Sequence, residues 1–178
     1  SLKSVEILVV NNASTDNTAD VVTQWSEGRA IPATLITEDK PGISVARNCG
    51  MRHARGDFFV FIDDDCMVGE QYFQDVARYI GKDEAPTLRY GSVHLGDDED
   101  WPVTVFYWDG VKHWQKDHES EFGYPRTHNM YACNMIFPRA IYEKVGIFDE
   151  KLGTRFIPGG EDSDFGFRAY NAGFAIEN

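Results

Sequence analysis

The run Asp57-Phe58-Phe59-Val60-Phe61-Ile62-Asp63-Asp64-Asp65 constrains this chain more than any other segment. Five consecutive apolar residues, three of them Phe, lead straight into three aspartates. A short apolar run rich in aromatic and β-branched residues, opened by Gly56-Asp57, reads as a strand buried on both faces. Carboxylates released at the C-terminal end of such a strand sit where open α/β sheets bind their ligands. Three adjacent carboxylates repel one another unless a cation or a proton intervenes. The economical explanation is a hard divalent metal, Mg²⁺ or Mn²⁺, bound by one or two carboxylates and completed by substrate phosphate and water. A solvated acidic turn is the bland alternative.

The chain has 178 residues, which by length is one domain with a real core. A formal net charge of −12 argues against nucleic acid as a partner, since phosphate binding wants a basic face. It leaves room for a phosphorylated small molecule, because a metal inverts the local charge logic. Cys49, Cys66 and Cys133 are odd in number, widely spaced and without a Cys-x-x-Cys pair. That argues against a disulfide framework or a zinc site and fits a reducing cytoplasm. No apolar run approaches the ~20 residues of a membrane span, and nothing reads as a signal peptide. The expected location is cytoplasmic, with peripheral association at the inner membrane face compatible with it.

Along the chain the pattern is strand, helix, strand, helix, strand, which implies a parallel sheet covered on both faces. Val5 to Val10 is the first expected strand, and Asp16-Asn17-Thr18 offers caps for a helix to about Trp25. Ala33 to Thr37 is a second strand. Ser44, after the Pro41-Gly42 turn, can cap a helix to about His53 whose Ala46, Cys49, Gly50 and Ala54 form a small-residue stripe. Gln71 to Ile80 repeats apolar residues at helical spacing. Leu88 to Leu95 reads as a strand, Tyr131 to Phe137 as another, Arg139 to Val145 as a short helix and Asp162 to Asn171 as the last helix. From Asp97 to Met130 regular patterning stops, although the stretch holds Trp101, Trp108, Trp114, His113, His118 and His128. A long irregular segment in a compact domain is usually functional.

Three further segments carry chemistry. Val9 to Thr18 closes a strand with a polar turn into a helix, where side chains can read a base or ribose and a helix N-terminus can receive phosphate; a capped loop explains it equally. In Pro41 to Asn48, Arg47 falls in the first turn of a helix, where a cation opposes the macrodipole. An anionic ligand would explain that placement, and so would a plain surface arginine. Gly159-Gly160-Glu161-Asp162-Ser163-Asp164 places acids at a helix start, where one can act as a general base or simply as a cap.

Together, in this order, these segments resemble the family 2 glycosyltransferases, nucleotide-sugar-dependent enzymes with the GT-A fold. The motifs that carry the resemblance are Val9 to Thr18, Pro41 to Asn48, the Asp-x-Asp of Asp63-Asp64-Asp65, Asn134-Met135, Phe148-Asp149-Glu150, and Glu161 to Asp164. The resemblance implies an α/β GT-A (Rossmann-like) fold with a mostly parallel sheet and helices on both faces. It implies one such domain over residues 1–178, apparently without its opening strand and its C-terminal end. It further implies transfer of a sugar from a nucleoside-diphosphate sugar, most readily a UDP-sugar, to a carbohydrate or lipid-linked acceptor, with inversion, as in polysaccharide biosynthesis. Mg²⁺ or Mn²⁺ would be held by Asp65 with Asp63. Asn11, Asp16, Arg47, Asp63 and Asp64 would lie on the nucleotide-sugar side. Asp162 would be the catalytic base, with Glu161 second. Where many relatives carry Asp, this chain has Asn11, an amide with both donors and acceptors for a base.

Two alternatives stand beside this reading. One is a non-catalytic nucleotide- or sugar-binding domain, degenerate or truncated. The other is a haloacid-dehalogenase-like phosphatase, which also puts Asp-x-Asp after a hydrophobic strand but would want Thr or Val where this chain has Met67.

Overall fold

A computed structural model describes residues 5–31, 33–96 and 130–177. The aromatic stretch of residues 97–129, with its three tryptophans and three histidines, lies outside the described residues. The chain divides into two compact units, one of residues 2–57 and 147–165, the other mainly of residues 58–146 and 166–178.

In the first unit β1 (Ile7–Asn12) pairs in parallel with β2 (Ala33–Glu38), Ile7 opposite Ala33 and Asn12 opposite Glu38. Two helices belong with them, α1 (Thr18–Ser26) and α2 (Ile43–His53). Helix α1 starts where the Asp16 carboxylate accepts from both the backbone N–H and the hydroxyl of Thr18, at 3.1 and 2.5 Å. Helix α2 starts after Gly42, whose φ of 141° is open to glycine and hostile to other residues. The small-residue stripe of α2 does its expected job: a Cβ on Gly50 would lie 3.5 Å from Val10, so helix and strand pack closely.

The second unit holds β3 (Phe58–Ile62), α3 (Tyr72–Ile80), β4 (Thr87–Tyr90), β5 (Asn134–Pro138), α4 (Arg139–Val145) and β6 (Ala175–Glu177). Helix α5 (Glu161–Asn171) crosses the boundary between the two sets of residues. The strand order is β3-β5-β4-β6, with β5 antiparallel to both neighbours and β4 parallel to β6. Its core gathers Leu88, Tyr90, Met135, Phe137, Ile141 and Ile176, all essentially buried. Phe137 stacks on Phe61 and meets Phe59 at a tilt, with ring centroids at 5.8 and 5.2 Å. Arg89 ties the far edge together, its guanidinium forked onto Asp83 and bonded through Nε to Glu177 at 2.6 Å.

Several expectations are corrected. Strand β3 is not buried on both faces: only its Phe59 is fully buried, Ile62 is exposed, and among the described strands of its sheet β3 stands at the edge, antiparallel to β5. The run is as apolar as a central strand because Phe59 and Phe61 pack on Phe137 of β5, and Phe59 also on Tyr142. Ser44 does not cap α2; it lies inside the helix and donates its hydroxyl to the Leu152 carbonyl at 2.7 Å. The Leu88–Leu95 strand is shortened to Thr87–Tyr90, and the first strand runs on through Asn11 and Asn12.

Candidate functional site

The first unit carries the candidate nucleotide-side residues at the end of β1. Successive strand residues face opposite ways, so the two asparagines have different work. Asn12 latches the end of β1 to the stretch 38–42: its amide nitrogen donates to the carbonyls of Glu38 and Lys40 at 3.1 and 2.7 Å, and its oxygen accepts from the Gly42 N–H at 2.8 Å. Asn11 is half-buried, and its side-chain oxygen is buried without a hydrogen-bond partner among the described residues. Such an orphan acceptor is costly in a folded protein and marks a place where a donor belongs. Ala13, which follows Asn12, holds a left-handed φ of 53°, fixed by its N–H donating to the Glu38 carbonyl at 2.9 Å. Asp16 is exposed, and the hydrogen bonds from the Thr18 hydroxyl and N–H hold its carboxyl below the usual range.

Arg47 and Glu161 meet in this same unit. Arg47 Nη1 lies 2.7 Å from Glu161 Oε1, with the two side chains only 7% and 6% exposed. The second oxygen of Glu161 is buried and has no hydrogen-bond partner among the described residues. Opposite it lies Gly153, at φ 64°; a Cβ there would come within 3.1 Å of that oxygen and 2.3 Å of Ile43 Cγ2. Only glycine allows so close an approach. Around the pair, the Ile43 N–H donates to the Gly153 carbonyl, Arg47 packs 5.8 Å from the Phe148 ring, and Phe148 stacks on Phe165 at 4.6 Å. Asp162, next in sequence and half-buried, accepts a 2.7 Å bond from the Ser163 N–H.

The second unit carries the acidic triplet. Asp63 is half-buried at the end of β3, while Asp64 and Asp65 are exposed in the turn that follows. The turn is closed by the Cys66 N–H donating to the Asp63 carbonyl at 3.1 Å, and the Cys66 thiol donates to Asp65 Oδ1 at 3.6 Å. Burial, with Asp65 beside it, pushes that thiol above its usual range. Across the sheet Asn134 stands opposite Ile62, one residue before the acids. Its side chain accepts from the Tyr72 hydroxyl at 2.8 Å and donates to the Ser92 carbonyl at 3.1 Å. Burial pushes the Tyr72 hydroxyl up to about 12. Among the described residues no group of three or more His, Cys, Asp or Glu side chains is arranged to hold a metal ion.

The sequence model described as glycosyl transferase family 2 matches residues 1–146. The chain belongs to this family. Curated relatives of the family 2 chain include a validoxylamine A glucosyltransferase of Streptomyces hygroscopicus subsp. jinggangensis, 27% identical over 99% of this chain and 46% of that protein. Human polypeptide N-acetylgalactosaminyltransferase 6 is 22% identical over 97% of this chain and 30% of that protein. Among solved structures, S. aureus TarS 1-349 superposes with a TM-score of 0.69 at 19% identity, covering 97% of this chain and 48% of that one. The likeness shows the GT-A fold. TarS 1-349 has also been solved in complex with UDP and with UDP-GlcNAc. This family 2 chain spans about half the length of these relatives, or less. Family membership sets the dehalogenase-like alternative aside.

Of the residues singled out from sequence, Asn11, Asp16, Arg47, Glu161 and Asp162 fall in the first unit, and the structure joins Arg47 directly to Glu161. Asp63, Asp64 and Asp65 fall in the second. Sequence reasoning gave no role to Asn12, Asn48 or Asn134, whose amides organise the backbone around these residues. For Asn48 the missed signal was a polar residue beside Val45 and Cys49 on the buried side of α2.

Proposed function

We propose that the protein transfers a sugar from a nucleoside-diphosphate sugar, with UDP as carrier, to an acceptor hydroxyl with inversion at the anomeric carbon. Membership of glycosyl transferase family 2 carries this reading. TarS, solved with UDP and UDP-GlcNAc, supports the choice of carrier.

In this mechanism Asn11 receives the base. Its orphan oxygen accepts a ring N–H such as that of uracil, and its amide nitrogen donates to a neighbouring base carbonyl. Asp16, exposed and held ionised, accepts from a ribose hydroxyl. The acids after β3 suit Mg²⁺ or Mn²⁺ in donor chemistry: Asp63 and Asp65 offer hard carboxylate oxygens two residues apart, one half-buried and one exposed. With no larger cluster among the described residues, two carboxylates suit an ion that arrives with the diphosphate better than a resident cage. Held there by Asp63 and Asp65, such an ion would supply charge neutralisation to the leaving diphosphate. Asp64, exposed in the same turn, is assigned to the nucleotide-sugar on the strength of the family resemblance alone. Asp162 takes the proton of the acceptor hydroxyl as its oxygen bonds to the anomeric carbon and the bond to the diphosphate breaks. The Ser163 N–H fixes the orientation of that carboxylate.

The test is a screen of the complete protein against UDP-, GDP- and dTDP-sugars with saccharide and lipid-linked acceptors and Mn²⁺, read out as release of nucleoside diphosphate. Acceptor-dependent UDP release and a product of inverted anomeric configuration are expected. UDP binding without release from any donor would instead establish the non-catalytic alternative.

A further inference from the structure

The buried charge pair of the first unit has a consequence for the reaction. Arg47 and Glu161 are among the least exposed side chains of that unit, and each neutralises the other. Breaking an ion pair this dry by removing one partner leaves an uncompensated buried charge, which is costly. Glu161 is also the first residue of α5, and Asp162 is the second. The carboxylate at the helix start is thus joined through Glu161 to the guanidinium of α2.

Other contacts of α2 fix the segment leading to α5. Ser44 holds the Leu152 carbonyl, the Ile43 N–H holds the Gly153 carbonyl, and Asn48 bonds Phe148 on both its backbone groups. Gly153 lets that segment lie against both Ile43 and Glu161. Helix α2 therefore holds residues 148–153 by hydrogen bonds and Glu161 by charge, on either side of the exposed loop 155–160.

We propose that Arg47 and Glu161 are positioning residues: their buried ion pair sets the first turn of α5, and with it the Asp162 carboxylate, and neither touches the donor or the acceptor. The inference rests on the reading of Asp162 as the base. It moves Arg47 from the donor side to the acceptor side of the reaction and removes Glu161 as a competing base. A displacement of about 1 Å in a reacting group costs up to 10²-fold in rate, so a misplaced Asp162 shows in kcat.

The experiment measures kcat, donor KM and UDP affinity for Arg47→Met, Arg47→Lys, Glu161→Gln and the double variant Arg47→Met/Glu161→Met in the complete protein, using the donor and acceptor that release UDP fastest. Each single variant is expected to lower kcat about tenfold or more, with UDP affinity within about twofold of the parent. The double variant leaves no unpaired buried charge and is expected to recover part of the loss, so that the two effects do not add. Arg47→Lys keeps the charge without the fork and should fall between parent and Arg47→Met. If Arg47→Met fails to fold, Arg47→Lys and Glu161→Gln carry the comparison. A tenfold loss of UDP affinity at unchanged kcat would make Arg47 a donor contact and overturn the proposal, as would folded variants with parental kcat. Asp162→Asn is assayed in parallel: if it keeps full turnover, the base assignment itself has failed, whatever Arg47 and Glu161 do.

Discussion

The side chain of Asn48 grips the backbone of Phe148 on both sides, its oxygen accepting from the Phe148 N–H at 2.9 Å and its nitrogen donating to the Phe148 carbonyl at 3.0 Å. One amide thus stands in for a strand partner to a residue 100 positions away, at a site with no exposure at all. Asn48→Ala leaves two buried backbone groups unpaired, which should cost about 2–4 kcal/mol. Chemical denaturation with an unchanged slope and a lower midpoint is the expected result. An unshifted midpoint would mean that water replaces the amide without loss.

Gly153 offers a second check on the same region. Alanine there must adopt φ 64° and put its Cβ 2.3 Å from Ile43 Cγ2. The expected destabilisation is roughly 1–3 kcal/mol, part from backbone strain and part from the clash. Adding Ile43→Ala to Gly153→Ala should restore the clash component alone, so the double variant melts between Gly153→Ala and the parent.

Tyr72 gives the fold of the second unit an alkaline edge. Its hydroxyl is pushed by burial to about 12, against about 10 for a tyrosine in an unfolded chain. Between those values the folded state holds the proton and the unfolded state has lost it, so stability falls as pH rises. The contribution is fully present below pH about 10 and gone above about 12. Urea midpoints taken across this range should fall more steeply for the parent than for Tyr72→Phe, which gives up the bond to Asn134 at every pH. Parallel slopes for the two proteins would show that Tyr72 ionises without penalty.

For the acidic triplet, Asp65→Asn removes one charged oxygen from an ion that has few protein ligands. Mn²⁺-dependent UDP binding, followed by titration calorimetry, is expected to weaken at least about tenfold. Binding equal to the parent's would take the metal away from Asp65.

What the sequence made legible follows from how local each signal is. Helices α2, α3 and α4 were readable from apolar spacing and from the turn residues that bound them, and β1 and β2 from their β-branched runs. The surroundings of β3 were not, because a run of aromatics looks the same whether it is covered on two faces or packed on Phe137 at a sheet edge. Arg47 was ambiguous for a related reason. Its carboxylate partner lies 114 positions along the chain, and no periodicity reports a contact of that separation. Asn11 stands out in the sequence, yet only the structure separates it from Asn12: one amide is spent on three backbone groups, the other leaves an oxygen without a partner among the described residues.

The most direct test of the account is Asp162→Asn in the complete protein, with UDP affinity and acceptor-dependent UDP release measured on the same preparation. A base acts on the acceptor, so the account expects UDP affinity close to the parent's and turnover lower by roughly 10²-fold or more. A helix-start residue with no chemical role would instead lower the melting temperature slightly and leave turnover near normal, since Asn serves a helix N-terminus almost as well as Asp. Turnover retained in folded Asp162→Asn contradicts the proposed mechanism.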